Sequence, residues 1–104
     1  APGPSMGSAR CHCAAVQVDA DHVLIIGGKD SSSALASTEL FDVVTMTFEP
    51  GPTMQAARYA FAAARLDVAG ELPRILVMGG KADHRGNTPL STTEVLAVEG
   101  ASDE

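Results

Sequence analysis

The chain has 104 residues, 45% of them hydrophobic, and a formal net charge of −6. Its length fits one small domain, and its charge argues against unaided binding to nucleic acid or an acidic membrane surface, each of which needs a basic face. No apolar run approaches the ~20 residues of a membrane span, and APGPSMGSAR shows no basic segment followed by an apolar core, so no secretory signal is expected.

In chain order, a Pro/Gly turn at the start leads into the β-compatible run CHCAAVQV (Cys11 to Val18). VLIIGG (Val23 to Gly28) follows, a short continuous apolar run closed by a Gly pair, as in a strand buried on both faces. A polar loop from Lys29 to Ala34 leads to STELFDVV, and then to a fourth short run, Thr45 to Glu49. A second Pro/Gly turn opens YAFAAARL, then ILVMGG, a polar loop from Lys81 to Pro89, and TTEVLAV. No segment has a sustained helical period. The cluster Ala60, Ala62, Ala63 and Ala64 is the most helix-like place, but it aligns with CHCAAV and is therefore also read as strand.

The chain is a repeat. PGPSMGSARCHCAAV lies over PGPTMQAARYAFAAA with Arg10 over Arg58; VLIIGG lies over ILVMGG; LASTEL lies over LSTTEV with Glu39 over Glu94. The spacing between matched residues grows along the chain because the second copy has longer loops, and loops absorb insertions where strands do not. Repeat 1 spans residues 1–49 and repeat 2 spans 50–104, the latter without its fourth strand.

Short strands in a unit of this size mark a propeller blade. The ordered set resembles the kelch repeat: an Arg before the first strand (Arg10, Arg58), apolar residues ending in Gly-Gly on the second (Gly27-Gly28, Gly79-Gly80), an aromatic-Asp on the third (Phe41-Asp42), and Phe48 where that family has Trp. The second copy departs from the pattern, with Leu96-Ala97 in place of the aromatic-Asp. The resemblance implies an all-β fold of two antiparallel blades, four-stranded with the second incomplete, from a kelch-type β-propeller. It implies a non-catalytic scaffold that binds a partner protein or peptide through loops at one mouth of the ring, with no cofactor. The alternative it carries is a fragment of a galactose-oxidase-like propeller enzyme, whose copper chemistry needs converging tyrosines and histidines; the chain has one Tyr, Tyr59.

Lys29 and Lys81 each follow a Gly pair, which suggests a phosphate loop. The motif fails: neither copy has the first Gly of that loop, and Asp30 and Ala82 stand where a Ser or Thr is needed. The duplicated glycines are read as strand-end turns. Cys11-His12-Cys13 lacks the spacing of a zinc site, and the cysteines, aligned with Tyr59 and Phe61, are expected to be small core residues with His12 on the opposite side. Two cysteines make no disulfide framework, which points to a reducing compartment such as the cytoplasm. His22 and His84 are expected to be solvated. The two glutamates are expected to be structural; for Arg10 and Arg58 a structural and a partner-binding role are both open. The candidate partner-binding residues are Arg10, Arg58, Lys29, Lys81, His84 and Arg85. Because two blades cannot close a ring and each would expose an apolar face, the chain is expected to belong to a larger propeller or to assemble with itself, three copies giving six blades.

Overall fold

The structure is a computed structural model that describes residues 3–67, 70–71, 73–82 and 89–98. Seven strands form two antiparallel sheets: β1 (Ala14–Gln17), β2 (His22–Ile26), β3 (Thr38–Asp42) and β4 (Thr47–Pro50) in the first, and β5 (Ala62–Leu66), β6 (Arg74–Met78) and β7 (Thr93–Ala97) in the second. Each sheet is a meander in chain order. The described residues include no helix.

Strand composition explains the placement. The central strands HVLII and RILVM are the most apolar, and each has a neighbour on both sides. Side chains alternate across a strand. On β2, Leu24 and Ile26 are fully buried, whereas Val23 and Ile25 are half-buried. On β6 the order is reversed: Ile75 and Val77 are fully buried, and Leu76 and Met78 are half-buried. Matched positions thus differ in burial. The first sheet covers the second with Leu24, Ile26 and Leu40, and the second returns Ile75, Val77 and Leu96, all in one core cluster. The expectation that Leu76, Met78 and Ile25 are buried is corrected here. They lie on the outer faces of the pair, where no further sheet stands among the described residues.

The sheets are joined along their innermost strands and by the crossing segment between β4 and β5. Gly51, Met54 and Arg58 donate backbone N–H groups to Thr38, Ala36 and Leu35; Gly28 donates to Arg58 at 2.9 Å, and Ala60 to His12 at 2.9 Å. At the far end of β5, Arg65 reaches the Gln17 carbonyl at 3.4 Å.

The first run of each repeat is only partly strand. Cys11 pairs with Lys29, and Tyr59 with Lys81, as isolated bridges. The chain then kinks through His12 and Ala60, both with positive φ (53° and 54°), before β1 and β5 begin. A left-handed residue cannot continue a pleat, so the predicted strands over CHCAAVQV and YAFAAARL shorten to four and five residues. The cysteine expectation is corrected too. Cys11 and Cys13 are exposed, whereas Tyr59 is buried and Phe61 packs on the core. The aromatics sit in the seam between the two sheets; the cysteines occupy the same places on the outer side of the first.

Candidate functional site

The most elaborate polar constellation occurs twice. Arg58 is fully buried. Its Nη1 donates to the carbonyls of Gly79 and Thr92, both at 3.0 Å, and its Nη2 to Thr92 Oγ1 and to Glu94 Oε2, the latter at 3.0 Å. Glu94 also accepts the backbone N–H groups of Gln55 (2.6 Å) and Ala56 (2.9 Å). In the first repeat Arg10 donates to the carbonyls of Gly27 and Ser37, to Ser37 Oγ and to Glu39 Oε2, and Glu39 accepts the N–H groups of Gly7 and Ser8. The Arg10 side chain is fully buried as well.

Each set ties three parts of one repeat: the turn entering the first strand, the end of the second strand, and the third strand. Burying a guanidinium is costly unless its partners replace water, and here two carbonyls, a hydroxyl and a carboxylate do so. Only Nε of each arginine is buried without a partner. Burial alone would raise the Glu94 carboxyl, but the Gln55 and Ala56 N–H groups and the Arg58 guanidinium outweigh it and hold Glu94 below the ordinary range. The glutamates therefore have the structural role expected of them. Of the two roles open for the arginines, the geometry displays the structural one: their Nη groups face their own repeat.

The Gly pairs turn the second strand into the loop above these sets. Gly27, Gly28, Gly79 and Gly80 all have positive φ, between 55° and 95°, a region that glycine enters without a side-chain clash. A Cβ on Gly28 would lie 2.6 Å from the Cys11 carbonyl, and one on Gly80 would lie 2.6 Å from the Tyr59 carbonyl. The Gly-Gly-Lys stretches are thus turns that let the loop pass against the first strand.

Lys29 and Lys81 follow those turns at the same end of the two sheets. The Lys29 ammonium lies 4.6 Å from the centroid of the Tyr59 ring, and Lys81 pairs with Tyr59 through its backbone, with N···O distances of 2.9 Å both ways. Tyr59 therefore stands between the two lysine positions, with the His12 ring 6.3 Å away. His84 and Arg85 lie outside the described residues.

At the opposite end, His22 is not a solvated loop residue. It opens β2, and its Nδ1 lies 2.9 Å from Asp19 Oδ1 while its Nε2 lies 3.6 Å from Asp42 Oδ2. Asp42 also accepts the N–H groups of Thr45 and Val44, which hold its carboxyl below the ordinary range. The sequence places His22 between two hairpin turns, but only the register of β2 with β3, His22 opposite Asp42, brings those groups together. Among the described residues no three His, Cys, Asp or Glu side chains gather as a metal site.

On this geometry the comparisons can be placed. The family model described as the Kelch motif matches residues 10–55. No curated protein matches the chain at a significant level. The matched stretch holds the Arg10–Glu39 set, the first Gly pair and the whole first sheet, and the second sheet repeats that set and that pair. The chain carries a kelch motif at residues 10–55.

Proposed function

We propose that the chain is a non-catalytic interaction module that binds an acidic peptide or protein segment at the end of the sheets bearing Lys29 and Lys81. The observation that supports this is the paired placement of those lysines on either side of Tyr59, in a chain whose net charge is −6. Two lysines at equivalent backbone positions put positive charge on one rim of an acidic protein, and such complementarity steers and orients a partner of opposite sign. The Tyr59 ring holds the Lys29 ammonium over its face. Arg10 and Arg58 support the rim from beneath: their guanidiniums fix the carbonyls of Gly27 and Gly79, from which the Lys loops spring.

The test is binding of a labelled acidic peptide series to the wild-type chain and to the Lys29→Ala/Lys81→Ala double variant. The proposal expects preference for acidic over neutral peptides, and binding at least about tenfold weaker in the variant, equal to about 1.4 kcal/mol. Unchanged circular dichroism shows that the fold is kept. Equal binding of both proteins, or no preference for acidic peptides, contradicts it.

A further inference from the structure

At the end of the sheets opposite the lysine rim, the turn from β3 to β4 reads Asp42-Val43-Val44-Thr45-Met46. Three exposed large hydrophobic residues stand on it: Val43 (40% exposed), Val44 (71%) and Met46 (50%). Turn chemistry does not ask for them. Hairpin turns favour Gly, Asn, Asp and Ser, which supply the needed backbone angles or local hydrogen bonds. Met46 has φ of 61°, in the left-handed region, where Gly or Asn sits with less strain than a long apolar side chain. Burial does not explain them either, because the side chains face water.

The turn is held in one shape. Asp42 Oδ1 accepts the N–H groups of Val44 (2.8 Å) and Thr45 (3.2 Å), the Asp42 carbonyl accepts that of Met46 (2.8 Å), and the Thr45 and Thr47 hydroxyls meet at 2.7 Å. Val43 N–H reaches the Asp21 carbonyl at 2.9 Å and so ties this turn to the one between β1 and β2. A surface already ordered loses little freedom when a partner lands on it. Its border is acidic. Asp21 is exposed, and the Thr45 and Val44 N–H groups hold the Asp42 carboxyl below the ordinary range, so it stays charged. Among the described residues of these two turns, His22 is the one basic side chain, and Asp19 and Asp42 already engage it. On the neighbouring sheet, Arg65 and Arg74 are paired with Asp67 and Glu71.

We propose that the two joined turns dock a basic amphipathic segment of a partner protein, whose apolar side chains cover Val44 and Met46 and whose Lys or Arg side chains face Asp21 and Asp42. Charge complementarity selects this occupant. The carboxylate border repels an acidic segment and an anionic lipid surface alike, whereas the apolar tip gives a segment of alternating character something to bury. The site is separate from the lysine rim. The two ends of the sheets differ in charge and take partners of opposite sign, so neither reading rests on the other.

Fluorescence anisotropy with a labelled peptide of leucine and lysine at helical spacing tests it, beside two control peptides, one with glutamine for lysine and one with serine for leucine. The full chain should bind the leucine–lysine peptide more tightly than either control, and more weakly as salt rises. The Val44→Ser/Met46→Asn double variant should bind it at least about tenfold more weakly, and Asp21→Asn should weaken binding and flatten its salt dependence. Thermal melts give a readout that a merely structural role would move the other way: Met46→Asn should leave the melting temperature unchanged or raise it, since the strain at that position falls. The Lys29→Ala/Lys81→Ala variant should bind this peptide as the wild type does, which separates failure here from failure of the lysine-rim reading. Equal binding of the glutamine control overturns the proposal. So does unchanged affinity in the Val44→Ser/Met46→Asn variant, a lowered melting temperature in Met46→Asn, or binding to phosphatidylserine vesicles without binding to the peptide.

Discussion

The buried arginines are the residues on which each repeat turns. Glu94→Ala leaves Arg58 buried with its carboxylate gone, and removing one member of a buried ion pair costs about 3–5 kcal/mol. Asp67→Ala breaks the exposed Arg65–Asp67 pair and should cost less than about 1 kcal/mol. Urea titrations of the two variants check the contrast. The same carboxylate gives a pH dependence. Its folded pKa is depressed, so its contribution is complete above the ordinary glutamate value of about 4.3 and is lost as pH falls through that value toward the folded one. Thermal melts from neutral to acidic pH should show the fall in wild type and a flatter profile in Glu94→Gln. A strained residue gives an opposite kind of test. Ala60 has φ of 54°, and a left-handed alanine carries about 1–2 kcal/mol of steric strain. Ala60→Gly should therefore leave the melting temperature unchanged or raise it, while Ala62→Gly, two residues on and inside β5, should lower it.

At the scale of elements, alternation on β2 and β6 makes the prediction. Ile26→Asp puts an unpaired charge in the seam and should cost about 4 kcal/mol or more, enough to unfold a small domain. Val95→Asp, on an exposed face of β7, should change stability of the dilute chain by less than about 1 kcal/mol. Chemical denaturation of both variants checks this. The strands themselves were legible: apolar runs ending in Gly-Gly and their duplication located all seven, with ends shifted by a few residues. What one repeat could not show was which face of each strand meets the other sheet. The sequences VLII and ILVM are apolar at every position, so alternation carries no signal, and matched residues such as Leu24 and Leu76 differ only through what stands beside them. His12 and Ala60 were missed as kinks for a related reason. Neither is a glycine, and the left-handed turn is imposed by the bridges of Cys11 to Lys29 and Tyr59 to Lys81 around them.

At the scale of the whole molecule, the two sheets form one body because the seam between them is filled from both sides. Matching Arg10 with Arg58 and Glu39 with Glu94 was visible in the sequence and led to the candidate site. The burial of those guanidiniums was not, since it depends on the turn entering each repeat folding back onto that repeat's third strand, through the Gly7 and Ser8 amides on Glu39 and the Gln55 and Ala56 amides on Glu94. The seam is tested most directly by one comparison, the equilibrium stabilities of Gly27→Ala and Gly79→Ala in solution too dilute for assembly. Both glycines have similar positive φ (55° and 66°), so the backbone strain of an alanine is nearly equal at the two sites. Only Gly27 faces the other sheet, where the new methyl would collide with the Arg58 carbonyl, Met54 and Phe61. The account predicts that Gly79→Ala costs about 1–2 kcal/mol, the strain with one close approach to the Leu90 carbonyl at 3.3 Å, and that Gly27→Ala costs at least about 2 kcal/mol more through overpacking. Equal losses at the two sites would contradict it.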